Sequence, residues 1–248
     1  MHNSTKITET PQGRKPLRQK AYTIEFVGPP GAGKTSSCKC LSALLESNGY
    51  TVCKWQDVKD YIRKMAFTKK CLLVLKLVLF RGQSLMLYTT LLASNSIYSR
   101  NSIYRYIRLT LFDLALKQLL KKEKIDVVLL DQWTIQEMWS ATIFRAKSYS
   151  SISKSLSKFY FSTDIIFYFD VDINTAVERI EMRPTKTSRF DRMTREKRTQ
   201  ELEKYNSYLF QLFESSDCTQ KHLFSGHDSP EKNAVLIAEH CKMNCQFN

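Results

Sequence analysis

The octet Gly28-Pro29-Pro30-Gly31-Ala32-Gly33-Lys34-Thr35 contains three of the seven glycines of the 248-residue chain. The six residues before it, 22–27, are rich in β-branched and aromatic side chains, which is typical of a short strand. Residues 34–47 carry Cys38, Leu41 and Leu45 at helical spacing. The sequence therefore predicts a strand, a tight loop and a helix in direct succession.

The octet satisfies the pattern G-x-x-x-x-G-K-[ST], and the flanking strand and helix are the context that this motif needs. Glycines let successive backbone N–H groups turn inward around a polyphosphate, and the helix N-terminus behind them adds partial positive charge. We expect Lys34 to reach the β and γ phosphates of ATP and the Thr35 hydroxyl to bind Mg²⁺. The predicted nucleotide-binding residues are Gly28, Pro29, Pro30, Gly31, Ala32, Gly33, Lys34, Thr35 and Ser36.

A carboxylate follows a second apolar strand. The run IDVVLL at 125–130 ends in Asp131, which we predict to order the Mg²⁺ shell, the alternative being a cap of the next helix. The next residue is Gln132, which cannot take a proton, whereas ATP-hydrolysing machines commonly place a glutamate there. This substitution argues against a motor or a helicase.

Five cations lie within fourteen residues, at Arg179, Arg183, Lys186, Arg189 and Arg192. Transfer of a phosphoryl group needs cations that follow the migrating charge and a cover that excludes water. Arg183, Arg189 and Arg192 are the preferred catalytic candidates because they flank a proline-containing loop that can close. The alternative is a solvated basic face.

Further strands are predicted at 50–55, 164–169 and 222–225, and they alternate with helices, which indicates an α/β fold with a mostly parallel sheet. We predict one domain over 21–248, with a helical region at about 58–122 and a disordered basic tail at 1–20. The apolar stretch 71–93 is interrupted by charged residues and is predicted to be two helices meeting near Gly82 and not a transmembrane helix. A membrane-surface role for this stretch is an alternative.

The amino-acid composition limits the possible fold classes and binding partners. With 43% hydrophobic and 25% charged residues, the chain has enough apolar material for one substantial core. A net charge of +14 favours phosphates, nucleic acid or anionic membranes as partners. The seven cysteines lack paired CxxC spacing, so we expect reduced thiols and a cytoplasmic protein.

From 21 to 239 the chain resembles the P-loop kinases of the thymidylate kinase and nucleoside monophosphate kinase group. The resemblance rests on GPPGAGKTS at 28–36, LLDQW at 129–133, the stretch 170–192 and the segment 224–238. It implies a three-layer P-loop NTPase fold with strand order 2-3-1-4-5. It also implies a lid at about 183–192 and an adenine-holding loop and helix at 224–238.

Two departures concern the acceptor. Gln132 stands where the family has arginine, and no clear counterpart of the acceptor-binding arginines is found. Unaligned candidates for the acceptor pocket are Arg81, Arg100, Arg105, Trp133, Gln136 and Trp139, although aromatic residues at such positions are more often core.

The sequence thus predicts an ATP- and Mg²⁺-dependent phosphotransferase that acts on a nucleotide or another small acceptor. Lys34, Arg183, Arg189 and Arg192 are the predicted catalytic residues, and Thr35 and Asp131 are the predicted metal ligands. The alternative is an ATP-binding regulatory or nucleic-acid-associated P-loop protein without kinase activity, which the absence of a nucleic-acid motif disfavours. The oligomeric state stays open, a homodimer included.

Overall fold

The computed structural model describes residues 21–94, 99–143, 149–184, 186 and 188–244. The predicted tail at 1–20 lies outside this range, as do positions 185 and 187 of the predicted lid. Within the range, five strands form one all-parallel sheet: β1 (Tyr22–Val27), β2 (Val52–Lys54), β3 (Val127–Leu130), β4 (Ile165–Asp170) and β5 (Lys221–Ser225). Their spatial order is β2-β3-β1-β4-β5, which confirms the predicted order 2-3-1-4-5.

Helices surround the sheet. In chain order they are α1 (Lys34–Ser47), α2 (Trp55–Lys64), α3 (Phe67–Ser94), α4 (Arg100–Lys122), α5 (Thr134–Thr142), α6 (Tyr149–Ser157), α7 (Ile173–Glu181), α8 (Arg195–Glu214) and α9 (Pro230–Asn244). A short 3₁₀ turn, Phe190–Arg192, lies within the predicted lid. Helix α1 packs on α9, α4 packs on α5, and α8 packs on both α5 and α6. The central strands β1 and β3 are buried along their whole length, as expected for parallel strands covered on both faces.

The hydrophobic stretch at 71–93 differs from its prediction. It lies in one helix, α3, which bends by 65° between its arms Phe67–Leu79 and Arg81–Ala93, close to the Gly82 break that we predicted. None of the helices in the described ranges is by itself long and apolar enough to cross a membrane. The two arms of α3 meet the criteria of length and composition only when they are taken together.

An acidic residue lies in the middle of the most buried strand. Glu25 of β1 is 1% exposed, and its Oε1 accepts a hydrogen bond from the backbone N–H of Ile135 in the first turn of α5, at 3.0 Å. Loss of solvation raises the pKa of Glu25 to about 8, although the hydrogen bond from Ile135 opposes the shift. The side chain lines a cavity of about 170 Å³. Glu25 is therefore mostly protonated at neutral pH.

This burial predicts a stability that depends on pH. In the unfolded chain the carboxyl ionises above its ordinary pKa of 4.5, whereas the folded protein holds the proton up to about 8. The contribution of Glu25 is therefore complete below pH 4.5 and is lost as the pH rises towards 8, by about 1.4 kcal/mol per pH unit. Chemical denaturation at a series of pH values should show a falling free energy of unfolding for the wild type and a flatter profile for Glu25→Gln.

The matched control is Glu214→Gln, because Glu214 is an exposed glutamate at the end of α8. Its profile should run parallel to that of the wild type. Parallel profiles for Glu25→Gln and the wild type would show that Glu25 ionises at its ordinary pKa.

Candidate functional site

Three chain segments meet at one edge of the sheet. Strand β1 pairs in parallel with β3 on one side and β4 on the other, in the registers Glu25↔Leu130 and Val27↔Tyr168. The carboxyl ends of parallel strands lie at the same edge. The loop 28–33 after β1 therefore lies between Asp131, which follows β3, and α7, which follows β4.

The loop has a backbone that only glycine adopts easily. Gly31 and Gly33 have φ values of +88° and +87°, in the left-handed region. A Cβ atom at Gly31 would collide with the backbone of Ala176 in α7, whereas a Cβ at Gly33 would meet open space. Gly31 is therefore also the point at which the loop contacts α7.

The start of α1 is arranged for an anion. Its N-cap is Gly33, no side chain in the described ranges caps it, and its first turn holds no acidic residue. The first N–H groups of a helix have no partner within the helix, and the helix dipole adds positive charge. A phosphate is a suitable acceptor for these groups.

Lys34 is held against the loop. Its Nζ donates hydrogen bonds to the carbonyl oxygens of Gly28, at 2.6 Å, and Pro29, at 2.8 Å. The pKa of Lys34 is lowered to about 7, mainly by loss of solvation and to a smaller extent by the positive charge of Arg183. The negative charge of Asp131 opposes this shift. An anion placed beside Lys34 would stabilise its charged form.

Thr35 and Asp131, the two predicted metal ligands, lie in direct contact. The Oγ1 of Thr35 donates a hydrogen bond to Oδ2 of Asp131 at 2.8 Å. Both groups are hard oxygen ligands, which suit Mg²⁺. The described residues contain no cluster of three or more His, Cys, Asp or Glu side chains that could hold a metal by itself. Mg²⁺ commonly binds one or two protein groups together with phosphate and water, so this pair fits Mg²⁺ as the companion of a phosphate.

A cleft of about 820 Å³ opens over the loop. Its walls are the start of α1, the side chains of Arg179 and Arg183, and the turn 227–230 between β5 and α9. Lys34 and Lys39 add two further cations. The volume and the convergent positive charge suit a ligand of nucleotide size that carries several negative charges.

The structure brings one of the three preferred lid arginines to this cleft. Arg183 lines it and donates a hydrogen bond from Nη1 to Oδ1 of Asp191 at 3.0 Å. Arg189 is directed away, towards α5, where its Nη2 donates to the carbonyl oxygen and the hydroxyl of Ser140, at 2.8 and 2.9 Å. Arg192 is exposed and lines a separate cavity.

Several cleft residues were not selected from the sequence. Arg179 was part of the cation run but was not preferred. Its Nη1 donates to the carbonyl oxygen of Gly226, which links α7 to the turn before α9. It lies in the last turn of α7, four residues before Arg183, which follows the end of the helix. His227 and Asn233 lie in the segment 224–238, which the resemblance assigns to adenine binding, whereas no sequence pattern indicated Lys39.

A second cavity, of about 340 Å³, lies beside the first. Thr35, Lys39 and Gln132 line both, while Lys54, Trp55 and Lys59 line only the smaller one. Asp131 belongs to the wall of the smaller cavity. The Thr35–Asp131 pair therefore lies where the two cavities meet.

Trp133 and Trp139 have the core role that is more common for aromatic residues at such positions, and Gln136 does not line the pocket either. None of Trp133, Gln136 and Trp139 lines either cavity. Trp133 and Trp139 are 1% and 2% exposed because they pack into the core, Trp133 at 5.5 Å from Trp55. The tryptophan that lines the smaller cavity is Trp55, at the start of α2.

Two of the three arginine candidates are paired with carboxylates. Arg81 lies 3.6 Å from a carboxylate oxygen of Asp113, and Arg105 lies 3.0 Å from one of Glu137. Arg100 is exposed at the first turn of α4. None of these three arginines lines either cavity.

The sequence matches no protein-family model. It matches no curated protein either.

Because the loop contacts α7 at one glycine only, we predict that two matched glycine variants lose different amounts of stability. Gly31→Ala and Gly33→Ala both place a side chain at nearly the same positive φ, so both should lose about 1 kcal/mol of stability. Gly31→Ala must also displace α7, which should add about 2 kcal/mol. Urea denaturation checks this difference, and equal losses for the two variants would mean that Gly31 does not closely approach Ala176.

Proposed function

We propose that the protein is a phosphotransferase of the P-loop kinase type that transfers the γ-phosphoryl group of Mg-ATP to a small phosphorylated acceptor. One observation carries the proposal: two cavities of different size meet at the contact between Thr35 and Asp131. Direct in-line transfer needs the donor and the acceptor on opposite sides of the migrating group. The joined cavities offer that arrangement.

The larger cavity is the proposed donor site. The loop 28–33 and the start of α1 would bind the triphosphate through backbone N–H groups, and Lys34, Arg179 and Arg183 would balance its charge. The turn 227–230 lies at the other wall, in the segment whose resemblance to kinases implies an adenine site. The size of the cleft is sufficient for a nucleotide.

Thr35 and Asp131 would hold Mg²⁺, which when bound neutralises phosphate charge and fixes the orientation of the γ phosphate. Lys34 is already turned towards the loop by its two carbonyl partners, so it needs little reordering to contact a phosphate oxygen. Preorganised positive charge of this kind lowers the barrier to transfer because the charge on the oxygens shifts during the reaction.

The chemistry of the smaller cavity indicates the class of acceptor. Its lysines, Lys39, Lys54 and Lys59, favour an anion, and Trp55 offers an aromatic surface. Asp131 is the one carboxylate in its described wall and is engaged by Thr35, while Gln132 cannot accept a proton. A hydroxyl acceptor would lack a base here. A phosphate acceptor is already ionised and needs none, so a nucleoside monophosphate or a similar phosphorylated compound fits best.

The lid completes the proposal. Arg183 lies at the cleft, and Asp191 holds it there from the 3₁₀ turn. For Arg189 to reach a bound phosphate, it must exchange its contacts with Ser140 for the ligand. Arg192 must move with the same turn. Closure of a loop of this kind excludes water from the transferring group.

Acceptor-dependent ADP formation tests the proposal. The purified protein is incubated with Mg-ATP and a panel of nucleoside monophosphates, nucleosides and sugar phosphates. We expect ADP to form only with a phosphorylated acceptor. Lys34→Ala should lower kcat/KM by about a thousandfold or more, because it removes a cation that acts on the transferring phosphate.

The matched control is Arg63→Gln, which removes a cation from the exposed end of α2. It should leave the rate within about twofold of the wild type, as is usual for a surface change of this kind. ADP formation without an acceptor, stimulated by DNA, would favour the nucleic-acid-associated class instead. ATP binding without turnover on any acceptor would favour a regulatory protein.

The pKa of Lys34 gives a test of the donor site that does not depend on turnover. At about pH 8, one unit above its pKa of about 7, most Lys34 side chains are neutral. A bound triphosphate stabilises the charged form, so ATP binding should take up close to one proton and weaken as the pH rises above 7. Isothermal titration calorimetry in two buffers with different ionisation enthalpies measures this proton.

Lys34→Ala should abolish the proton uptake. Equal binding enthalpies in the two buffers for the wild-type protein would show that the triphosphate does not lie beside Lys34.

A further inference from the structure

The outer surface of the first arm of α3, Phe67–Leu79, is apolar and exposed. The helix buries Leu73 and Leu77 in the core, four residues apart, and its main neighbour is α4. On the remaining surface, large aliphatic side chains are between 48% and 67% exposed: Leu72, Val74, Leu75, Val78 and Leu79. Monomeric soluble proteins seldom expose so many neighbouring aliphatic side chains without a binding role.

The charge on this arm has one sign. Residues 67–79 contain three lysines, Lys69, Lys70 and Lys76, and no Asp or Glu. Lys69 and Lys76 lie seven residues apart, so they share one side of the arm. By helical spacing they border one side of the stripe formed by Leu72, Leu75 and Leu79. The arm thus combines an apolar stripe with a basic border.

We propose that this surface, which we call the α3 face and define as the exposed side of Phe67–Leu79, docks on an anionic lipid bilayer. An amphipathic helix with a basic border lies in the plane of the lipid headgroups, with its aliphatic side chains between the acyl chains and its lysines at the phosphates. The arm of thirteen residues is about 20 Å long, enough to present the whole stripe to one surface. It does not need to span the bilayer.

Charge distinguishes a bilayer from a second copy of the chain as the occupant. Two α3 faces brought together would bury their aliphatic side chains, but they would also place lysine near lysine, with no acidic residue between 67 and 79 to compensate. Like charges at an interface oppose association. Anionic lipid headgroups supply the missing negative charge.

Docking by the α3 face is independent of the proposed function. Residues 67–79 line neither the larger nor the smaller cavity of the candidate site. A variant of the α3 face therefore leaves the residues of the cleft in place. Loss of lipid binding and loss of turnover can be told apart.

Vesicle flotation tests the proposal on the full-length protein. Wild-type protein should float with vesicles of phosphatidylcholine and phosphatidylglycerol, and not with vesicles of phosphatidylcholine alone. Leu75→Ser combined with Leu79→Ser should lower the apparent partition coefficient by about tenfold or more, because both side chains leave the apolar stripe. Lys69→Gln combined with Lys76→Gln should have a similar effect that high salt reproduces in the wild type.

Leu223→Ser is the matched control, because Leu223 of β5 is 62% exposed but lies outside the α3 face. It should float like the wild type, and circular dichroism checks that every variant is folded. Wild-type protein that stays unbound, or that binds neutral vesicles equally well, overturns the proposal. So does equal flotation of the two double variants and the wild type. A wild-type dimer in light scattering that Leu75→Ser with Leu79→Ser converts to a monomer also overturns it, since a second copy would then cover the surface.

Discussion

The parallel pairing of β1 with β3 and β4 is the constraint on which the site depends. It places the ends of three strands side by side, so that Thr35 contacts Asp131 although 96 residues separate them in the chain. The same pairing brings α7 against the loop at Gly31, where no side chain fits. After β1 the chain continues on one side of it, through β2 and β3, and then crosses to the other side, through β4 and β5, and ligands of open α/β sheets bind where the direction changes in this way. The location of the cleft follows from topology before any side chain is considered.

The charges in the cleft are the second feature that determines what it can bind. Loss of solvation is the main reason that the pKa of Lys34 is lowered, and repulsion between Lys34 and Arg183 adds to the shift. Asp131 provides partial compensation, and its Oδ2 accepts the hydrogen bond from the hydroxyl of Thr35. A polyanion in the cleft would relieve the repulsion and would restore the charge on Lys34. A polyanion bound in the cleft would therefore gain binding free energy from cations that are already in place.

The sequence predicted the sheet and its neighbours well, for local reasons. The bounds of β1 and α1 are those predicted, because a β-branched run, a glycine loop and a helical apolar pattern follow one another without overlap. The second strand is shorter than predicted because Trp55 begins α2 instead of ending β2. The bend in α3 falls between Leu79 and Arg81, close to Gly82, within a helix that continues. Local patterns determine elements but not where a helix bends.

The side chains of the site were harder to predict because their surroundings come from distant segments. A tryptophan after a strand could line a pocket or fill the core, and Trp133 and Trp139 fill the core while Trp55 lines the pocket. A cation in a lid loop could face the cleft or a neighbouring helix, and Arg189 contacts Ser140 of α5. Spacing along the chain carries no information on either choice. Only motifs whose partners are fixed by sheet topology, such as the loop and Asp131, can be paired from the sequence.

Two basic regions of the described structure differ in physical character. In the cleft, Lys34, Arg179 and Arg183 converge on one point, and two of them are held by backbone carbonyl oxygens. On the α3 face, cations are spread among exposed aliphatic side chains. Proteins that bind single-stranded nucleic acid without sequence preference commonly combine a basic groove with aromatic side chains on which bases stack. The α3 face is largely aliphatic, which is the property that suits a lipid surface, and the cleft is concave, which is the property that suits a small polyanion. The two basic regions therefore suit two different kinds of anionic partner.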